Sequence, residues 1–431
     1  MNLPGFSPGD RQREIYLNGF AGMRSEIPID AHLLEEKARK KMPPDAYAYI
    51  AGGAGLESTV SANRRAFEQW QILPRMLRNV YQRDTSVKLF GHTLSSPLVL
   101  SPIGVLEMVH PDADLAVGRA ASRLRIPYIF SNQASVPMEQ VASAMGDGPR
   151  FFQLYWSKSR DLVASFVSRA EKCGCSGIVV TLDTTLLGWR TRDLDLAYLP
   201  FLEGKGIAQY TSDPVFQRLM DEPDEAPPER KVTVESLLGL MKMVKAYPGG
   251  SFFSKLTSGR PVKAVRKFTA IYSNPAVTWG DLAFLREHTK LPIILKGILH
   301  PDDAKMAIDH GMDGIVVSNH GGRQVDGSVA TMQMLPAIAD AVAGRVPILL
   351  DSGVRGGADI FKAIALGATA VCVGRPYVYG LTLAGEAGVH EVLRNFMSDF
   401  DLTMGLAGCR SLGDARRSMT SLGRMTPRPT A

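Results

Sequence analysis

Ser318-Asn319-His320-Gly321-Gly322-Arg323-Gln324 sets an imidazole and a guanidinium three residues apart, directly after Gly314-Ile315-Val316-Val317, an apolar β-branched run that reads as a buried strand. An imidazole exchanges a proton near neutral pH, and a planar guanidinium grips a carboxylate through two parallel hydrogen bonds. The paired glycines let the backbone turn tightly and approach a ligand. Together these groups suit proton abstraction from a small carboxylic acid. An isolated His-x-x-Arg has a plainer reading, a satisfied histidine beside a surface arginine, so the weight falls on what the rest of the chain brings to the same place.

The elements that must position this loop repeat along the chain. Short apolar runs at residues 97–101, 126–131, 150–155, 177–183, 292–297, 314–319, 347–352 and 370–374 each end in small or polar residues. Stretches with helical periodicity follow most of them, at 113–124, 160–173, 301–310, 331–343 and 358–366. Eight such strands alternating with helices predict an α/β chain folded as a (β/α)8 barrel, with its chemistry at the C-terminal strand ends. Polar residues do collect there: Ser101, Ser131, Gln153 with Tyr155, Thr181 with Asp183, Lys296, Ser318 with His320, Asp351 and Arg375. Core packing does not explain them, because each unpartnered buried polar group costs roughly 1–3 kcal/mol. The glycine-rich turns Asp351-Ser352-Gly353-Val354-Arg355-Gly356-Gly357 and Val373-Gly374-Arg375-Pro376 follow strands seven and eight. That is the common phosphate site of such barrels, where helix N–H groups attract an anion.

Around this core we expect an N-terminal helical segment (1–80), a barrel (81–410) and a basic tail (411–431) that is flexible or contacts another subunit. Leu33, Ala38 and Met42 mark one N-terminal helix, and Asp45 to Ile50 opens another before glycine-rich 51–55. Between strands four and five lies a long insertion (187–277), expected to be a lid, an oligomer contact or a tolerated disordered loop, with regular structure resuming at Thr278. Of the 431 residues, 45% are hydrophobic and 21% charged, which fits a soluble globular protein with a substantial core. The net charge of +6 is concentrated, since residues 231–267 hold eight basic side chains against the single acid Glu235. No nucleic-acid-binding module accompanies them. The four cysteines show neither disulfide nor zinc spacing, so no metal is expected. The first 19 residues are polar and no run approaches the ~18 apolar residues of a membrane span. A cytoplasmic setting is expected, with a membrane role limited to the basic, amphipathic insertion lying on a lipid surface.

These motifs, with Phe151-Phe152-Gln153-Leu154-Tyr155, Thr181-Leu182-Asp183-Thr184 and Leu291-Pro292-Ile293-Ile294-Leu295-Lys296-Gly297, resemble the FMN-dependent 2-hydroxy-acid oxidase and dehydrogenase family over residues 47–410. Leu73-Pro74-Arg75-Met76-Leu77, Pro102-Ile103-Gly104-Val105 and Leu187-Gly188-Trp189-Arg190 are most similar to its lactate 2-monooxygenase branch. The resemblance implies FMN as cofactor, His320 as base, and Asp183 stabilising the imidazolium. It further implies Arg323 and Tyr49 on the substrate carboxylate, Tyr155 at the substrate hydroxyl, and Arg190 in the same pocket. Lys296 would sit by the flavin N1/O2 region and the backbone of Pro102, Ile103 and Gly104 by N5. Ser131, Gln153, Thr181 and Ser318 would bond the ring or ribityl chain. Asp351, Ser352, Gly353, Val354, Arg355, Gly374 and Arg375 would hold the ribityl and phosphate ends. The implied reaction is oxidation of a small L-2-hydroxy acid, lactate first, by O2, with decarboxylation to acetate, CO2 and water. The other outcomes within the resemblance are an oxidase releasing keto acid and H2O2, or a membrane-surface dehydrogenase feeding a quinone. A tetramer or octamer is implied. Two positions depart from the oxidases: Gln133 stands where glycolate oxidases carry tryptophan, and Gly104 replaces alanine, which would enlarge the space behind the flavin. Residues 227–274 carry no part of the resemblance.

Overall fold

A computed structural model describes residues 8–222, 233–416 and 419–421. Eight parallel strands close into a barrel: β1 (Leu98–Leu100), β2 (Tyr128–Phe130), β3 (Arg150–Leu154), β4 (Ile178–Thr181), β5 (Ile293–Ile298), β6 (Gly314–Val317), β7 (Ile348–Leu350) and β8 (Ala370–Val373). The ring closes where β8 pairs with β1, Cys372 opposite Val99. Alternate side chains, among them Val99, Ile129, Phe151, Val179, Ile294, Val316, Leu349 and Cys372, form an interior apolar cluster, so the barrel is packed and not a pore. A hairpin of Val87–Leu89 and His92–Leu94 closes the end where the strands begin, adding Leu89 and Leu94 to that cluster.

The outer ring comprises α1 (Ala113–Arg123), α2 (Met138–Met145), α3 (Arg160–Lys172), α4 (Leu282–His288), α5 (Pro301–Asp309), α6 (Thr331–Val342), α7 (Gly357–Ala365) and α8 (Arg375–Leu406). Sequence periodicity missed α8, a 32-residue element kinked at Ala384 and Gly385. Its face is apolar nearly all round because the N-terminal segment covers what the barrel does not. That segment forms helices Pro8–Phe20, Ala31–Lys41, Pro44–Ala51 and Ser58–Glu68. In Ala31–Lys41, Asp30 caps the N-terminus by accepting the N–H groups of His32 and Leu33 at 2.9 and 2.8 Å. The core stripe begins one residue later than expected, with Leu34 and Ala38 buried and Leu33 exposed.

The insertion has two parts. Its inner part, with helices Thr191–Asp195, Ala208–Thr211 and Pro214–Leu219, packs onto the barrel and rejoins it through helix Arg260–Ile271. Phe201, Tyr210, Phe216 and Phe268 form one buried aromatic cluster there. Arg169 of α3 ties it down, donating to Gln209 O at 2.7 Å and Asp213 Oδ2 at 3.0 Å. The outer part, helices Val234–Ala246 and Phe252–Ser258, buries only Val244 and exposes most of its apolar side chains. From residue 223 the acidic, proline-containing stretch lies outside the described residues. The tail is not wholly a loose end, since residues 419–421 pair antiparallel with Trp70–Ile72; residues 422–431 lie outside the described residues. The four cysteines are free thiols. No helix among the described residues is long and apolar enough to cross a membrane.

Candidate active site

The polar strand ends converge on one cleft that is partly open to solvent. At the end of β6, His320 adopts φ 57°, a left-handed conformation that a β-carbon disfavours. Its surroundings hold it there. Ser318 Oγ accepts the His320 N–H at 3.1 Å, and Ser352 Oγ accepts that of Gly321 at 2.9 Å. Asn319 exchanges two amide bonds with Asn63 of the N-terminal segment, at 2.9 and 2.8 Å. A β-carbon on Gly322, at φ 79°, would stand 2.7 Å from Val60 N, so this loop and that segment meet only through glycine.

Asp183, two residues beyond the end of β4, accepts from His320 Nδ1 at 2.7 Å, and Thr184 Oγ1 lies 3.0 Å from the same carboxylate and 3.2 Å from Nδ1. This fixes the imidazole with Nε2 as the atom left for a ligand. Burial and the charge of Lys296 keep the imidazole below its usual pKa despite Asp183. Burial would raise Asp183, but His320 and Lys296 outweigh it and bring it down to about 2. At neutral pH the pair therefore rests as carboxylate and neutral imidazole.

Lys296, buried in β5, donates to Ser318 Oγ at 2.9 Å and lies 3.2 Å from Asp351 Oδ2. Burial opposes its charge, but Asp351 and Asp183 hold it above the usual lysine range. The strand bulges beside it, where Gly297 at φ 107° leaves room for Asp183, which a β-carbon would approach to 2.9 Å. Arg323 donates from Nη1 to the carbonyls of Tyr49 and Gly52, the latter at 2.9 Å, with its guanidinium 5.0 Å from the Tyr49 ring centre. Both bonds use Nη1, so the Nη2 edge remains for an anion. Arg190 stands behind it, 3.4 Å from Arg323 O and 3.2 Å from Gln324 Oε1. Burial and the Arg190 charge push Arg323 down to about 9. Burial pushes the Tyr155 phenol up to about 12, so it stays a donor.

At the far end Ser352, Gly353, Val354, Arg355, Gly374 and Arg375 line the same cleft. Arg375 also has structural partners. Its guanidinium donates to Ile50 O at 3.0 Å, Gly321 O at 3.1 Å and Gly52 O at 2.9 Å, tying the helix that carries Tyr49 to the His320 loop while leaving its charge at this end.

Of the residues expected in the site, Tyr49, Pro102, Ile103, Gly104, Ser131, Tyr155, Arg190, Lys296, His320, Arg323 and Asp351 line the cleft as well. Asp183, Gln153, Thr181 and Ser318 stand one layer behind. Gln153 accepts from Ser131 Oγ at 3.2 Å and donates to Thr181 Oγ1 at 3.0 Å, which fixes its amide. The expectation that Gly104 opens space is corrected. A β-carbon there would lie 2.8 Å from Gln133 O, so glycine reflects two loops in contact, joined by Val105 N donating to that same oxygen at 2.9 Å. The sequence reading missed Thr184, Leu187, Phe201 and Tyr272, which also line the cleft. The last three come from the insertion, where no local period marks them.

The sequence and the fold have relatives. The description of the FMN-dependent dehydrogenase family matches residues 38–422. The chain is 40% identical over 416 residues, 96% of each sequence, to an FMN-dependent alpha-hydroxy acid dehydrogenase, qulF, of Penicillium citrinum. It is 40% identical to the L-lactate oxidase of Lysinibacillus sphaericus, over 91% of this chain and 92% of that one. A solved structure of mandelate oxidase, 34% identical, superposes with a TM-score of 0.74 over 91% of this chain and 99% of the other.

Proposed function

The chain belongs to the FMN-dependent dehydrogenase family and is an FMN-dependent 2-hydroxy-acid oxidoreductase, and from that premise we propose that it oxidises L-lactate with O2 and retains the keto acid for decarboxylation to acetate. One observation carries the reading: His320, backed by Asp183 at 2.7 Å, shares its loop and its cleft with Arg323, whose free edge fits a carboxylate.

The donor set fits FMN. A buried ammonium in the cleft suits a ring system that gains negative charge on reduction, and the glycine turns with Arg355 and Arg375 suit a phosphate. Lys296 would hold the N1/O2 edge; Ser131, Gln153, Thr181 and Ser318 the ring and ribityl polar atoms; and the backbone of Pro102 to Gly104 the N5 side. Asp351, Ser352, Gly353, Val354, Arg355, Gly374 and Arg375 would hold the ribityl and phosphate ends. Bound there, FMN supplies the acceptor for two electrons.

The chain's own residues do the rest. Arg323, with Arg190 and Tyr49 beside it, holds the substrate carboxylate, and Tyr155 donates to the hydroxyl oxygen. This fixes the substrate carbon against His320, whose neutral Nε2 takes a proton. Asp183 then faces an imidazolium and stabilises it. Leu187, Phe201 and Tyr272 give the cleft an apolar side that would favour retention of pyruvate, which with H2O2 gives acetate, CO2 and water.

Anaerobic mixing of the yellow protein with L-lactate, followed by oxygen and product assay, tests this. Bleaching with acetate as main product is expected. Pyruvate with stoichiometric peroxide would make the protein an oxidase, and no bleaching by any small L-2-hydroxy acid would sink the reading.

The outer insertion favours a second reading, a dehydrogenase seated on an anionic lipid surface. Leu237, Leu238, Met241 and Phe253 are exposed there, Phe253 by 76%, beside Lys242, Lys245 and Lys255. None of these residues lines the cleft. On this reading the protein co-sediments with phosphatidylglycerol vesicles but not phosphatidylcholine vesicles, and changing the four apolar residues to serine abolishes it. The same variant is expected to leave the acetate-to-peroxide ratio unchanged, because none of the four side chains reaches the cleft; an altered ratio would make the outer helices a lid.

A further inference from the structure

Behind the cleft lies a buried carboxylate that the proposed chemistry does not use. Asp114, in the first turn of α1, is 1% exposed. Its Oδ1 accepts from Tyr128 Oη at 3.1 Å, and its Oδ2 accepts the N–H groups of Ser135 and Val136 at 2.9 and 3.2 Å. All three donors belong to β2 or to the loop after it. That loop carries Ser131 and Gln133 into the cleft.

The hold extends further. Ser135 Oγ accepts the Glu107 N–H at 3.0 Å, and Glu107 Oε1 accepts that of Gly206 in the insertion at 2.9 Å. Asp114 thus sits at the root of a chain running through the loops after β2 and β1 to the insertion. Tyr377 Oη, whose phenol also feels the Asp114 charge, donates to Ser101 O at 2.9 Å, where β1 opens into the cleft.

We propose that Asp114 is a positioning residue for the reaction: its carboxylate fixes the loop after β2 from behind, and so sets where Ser131 and Gln133 stand in the cleft.

Packing alone gives no reason for a carboxylate. Burial pushes Asp114 up to about 7 against the pull of its donors, first the Ser135 N–H and then the Tyr128 hydroxyl. A folded-state pKa above the unfolded one means that stability is lost as pH rises from about 4 to about 7. An ionised Asp114 therefore destabilises the fold at neutral pH, which a neutral side chain would avoid. The ionisable groups facing it are few. Tyr128 and Tyr377 are held neutral by burial, Glu107 lies beyond Ser135, and Arg119 and Arg123 of α1 turn to Glu386 on α8 at 2.6 and 3.0 Å.

The test uses the FMN-loaded protein and two variants. Without substrate, the flavin spectrum of the parent protein is expected to shift in one step near pH 7. The step disappears in Asp114→Asn and moves to higher pH in Tyr128→Phe, which has lost one donor that favours the ionised form. This readout needs only bound FMN, so it stands even if the proposed substrate is wrong. With the active hydroxy acid, Asp114→Asn raises KM roughly five- to tenfold, the scale of one or two lost hydrogen bonds, with a smaller change in kcat. A parent spectrum without the step, or an unaltered step in either folded variant, overturns the proposal. Should Asp114→Asn not fold, Tyr128→Phe alone decides.

Discussion

Replacing His320 with alanine is expected to slow hydroxy-acid-driven bleaching of the flavin by roughly 10²–10⁴-fold, the usual contribution of a positioned general base, while FMN stays bound. Among the described residues no other group in reach can serve. Asp183 lies behind the imidazole at a pKa of about 2, Tyr155 stays protonated up to about 12, and Lys296 is held charged. The pH dependence follows from the same geometry. Activity requires neutral imidazole, and burial places His320 below its usual 6.5, so kcat/KM rises with pH through the acid range and levels before neutrality. The alanine variant lacks this limb. Asp183 adds a stability term of opposite range: its lowered pKa contributes above about 4 and is lost as pH falls towards 2. Anaerobic stopped-flow bleaching across pH checks the claim, and undiminished flavin reduction in the variant would remove His320 from the mechanism.

The eight strands were legible because each is a continuous apolar run buried on both faces, a local signal bounded by polar residues. Their C-terminal ends located most of the cleft for the same reason. What escaped was set by distant partners. Leu34 rather than Leu33 faces the core because α8 lies on that side of the helix, and α8 itself shows no simple stripe since two layers cover it. Asn63 secures the His320 loop from 256 residues away, and residues 419–421 find a strand at Trp70–Ile72 that nothing nearby announces. Phe201 and Tyr272 reach the cleft from the two ends of a folded insertion whose aromatic cluster has no sequence period. Gly104 shows the reverse error: a residue read as making space is there because two backbones touch.

Changing Lys296 to methionine should separate the two duties of that ammonium. In the structure it is 4% exposed and answers two carboxylates, Asp351 at 3.2 Å and, through its charge, Asp183. Removing one partner of a buried ion pair leaves an uncompensated charge, which costs roughly 3–5 kcal/mol. Stability in urea should fall accordingly. Catalysis should fall as well, because negative charge building on the reduced ring loses its fixed counter-charge in a site of low dielectric, a loss of roughly 10²–10³-fold in reduction rate. Each effect alone has a trivial explanation in the other, since a loosened site is also a slow one. The double variant Lys296→Met with Asp351→Asn resolves them. It removes the orphaned carboxylate, so most of the lost stability should return, with a coupling well above the few tenths of a kcal/mol expected of independent sites. The reduction rate should stay low, because no cation has been restored. Recovery of rate together with stability would mean that Lys296 only holds the barrel together, and the electrostatic role assigned to it would have to pass to another residue.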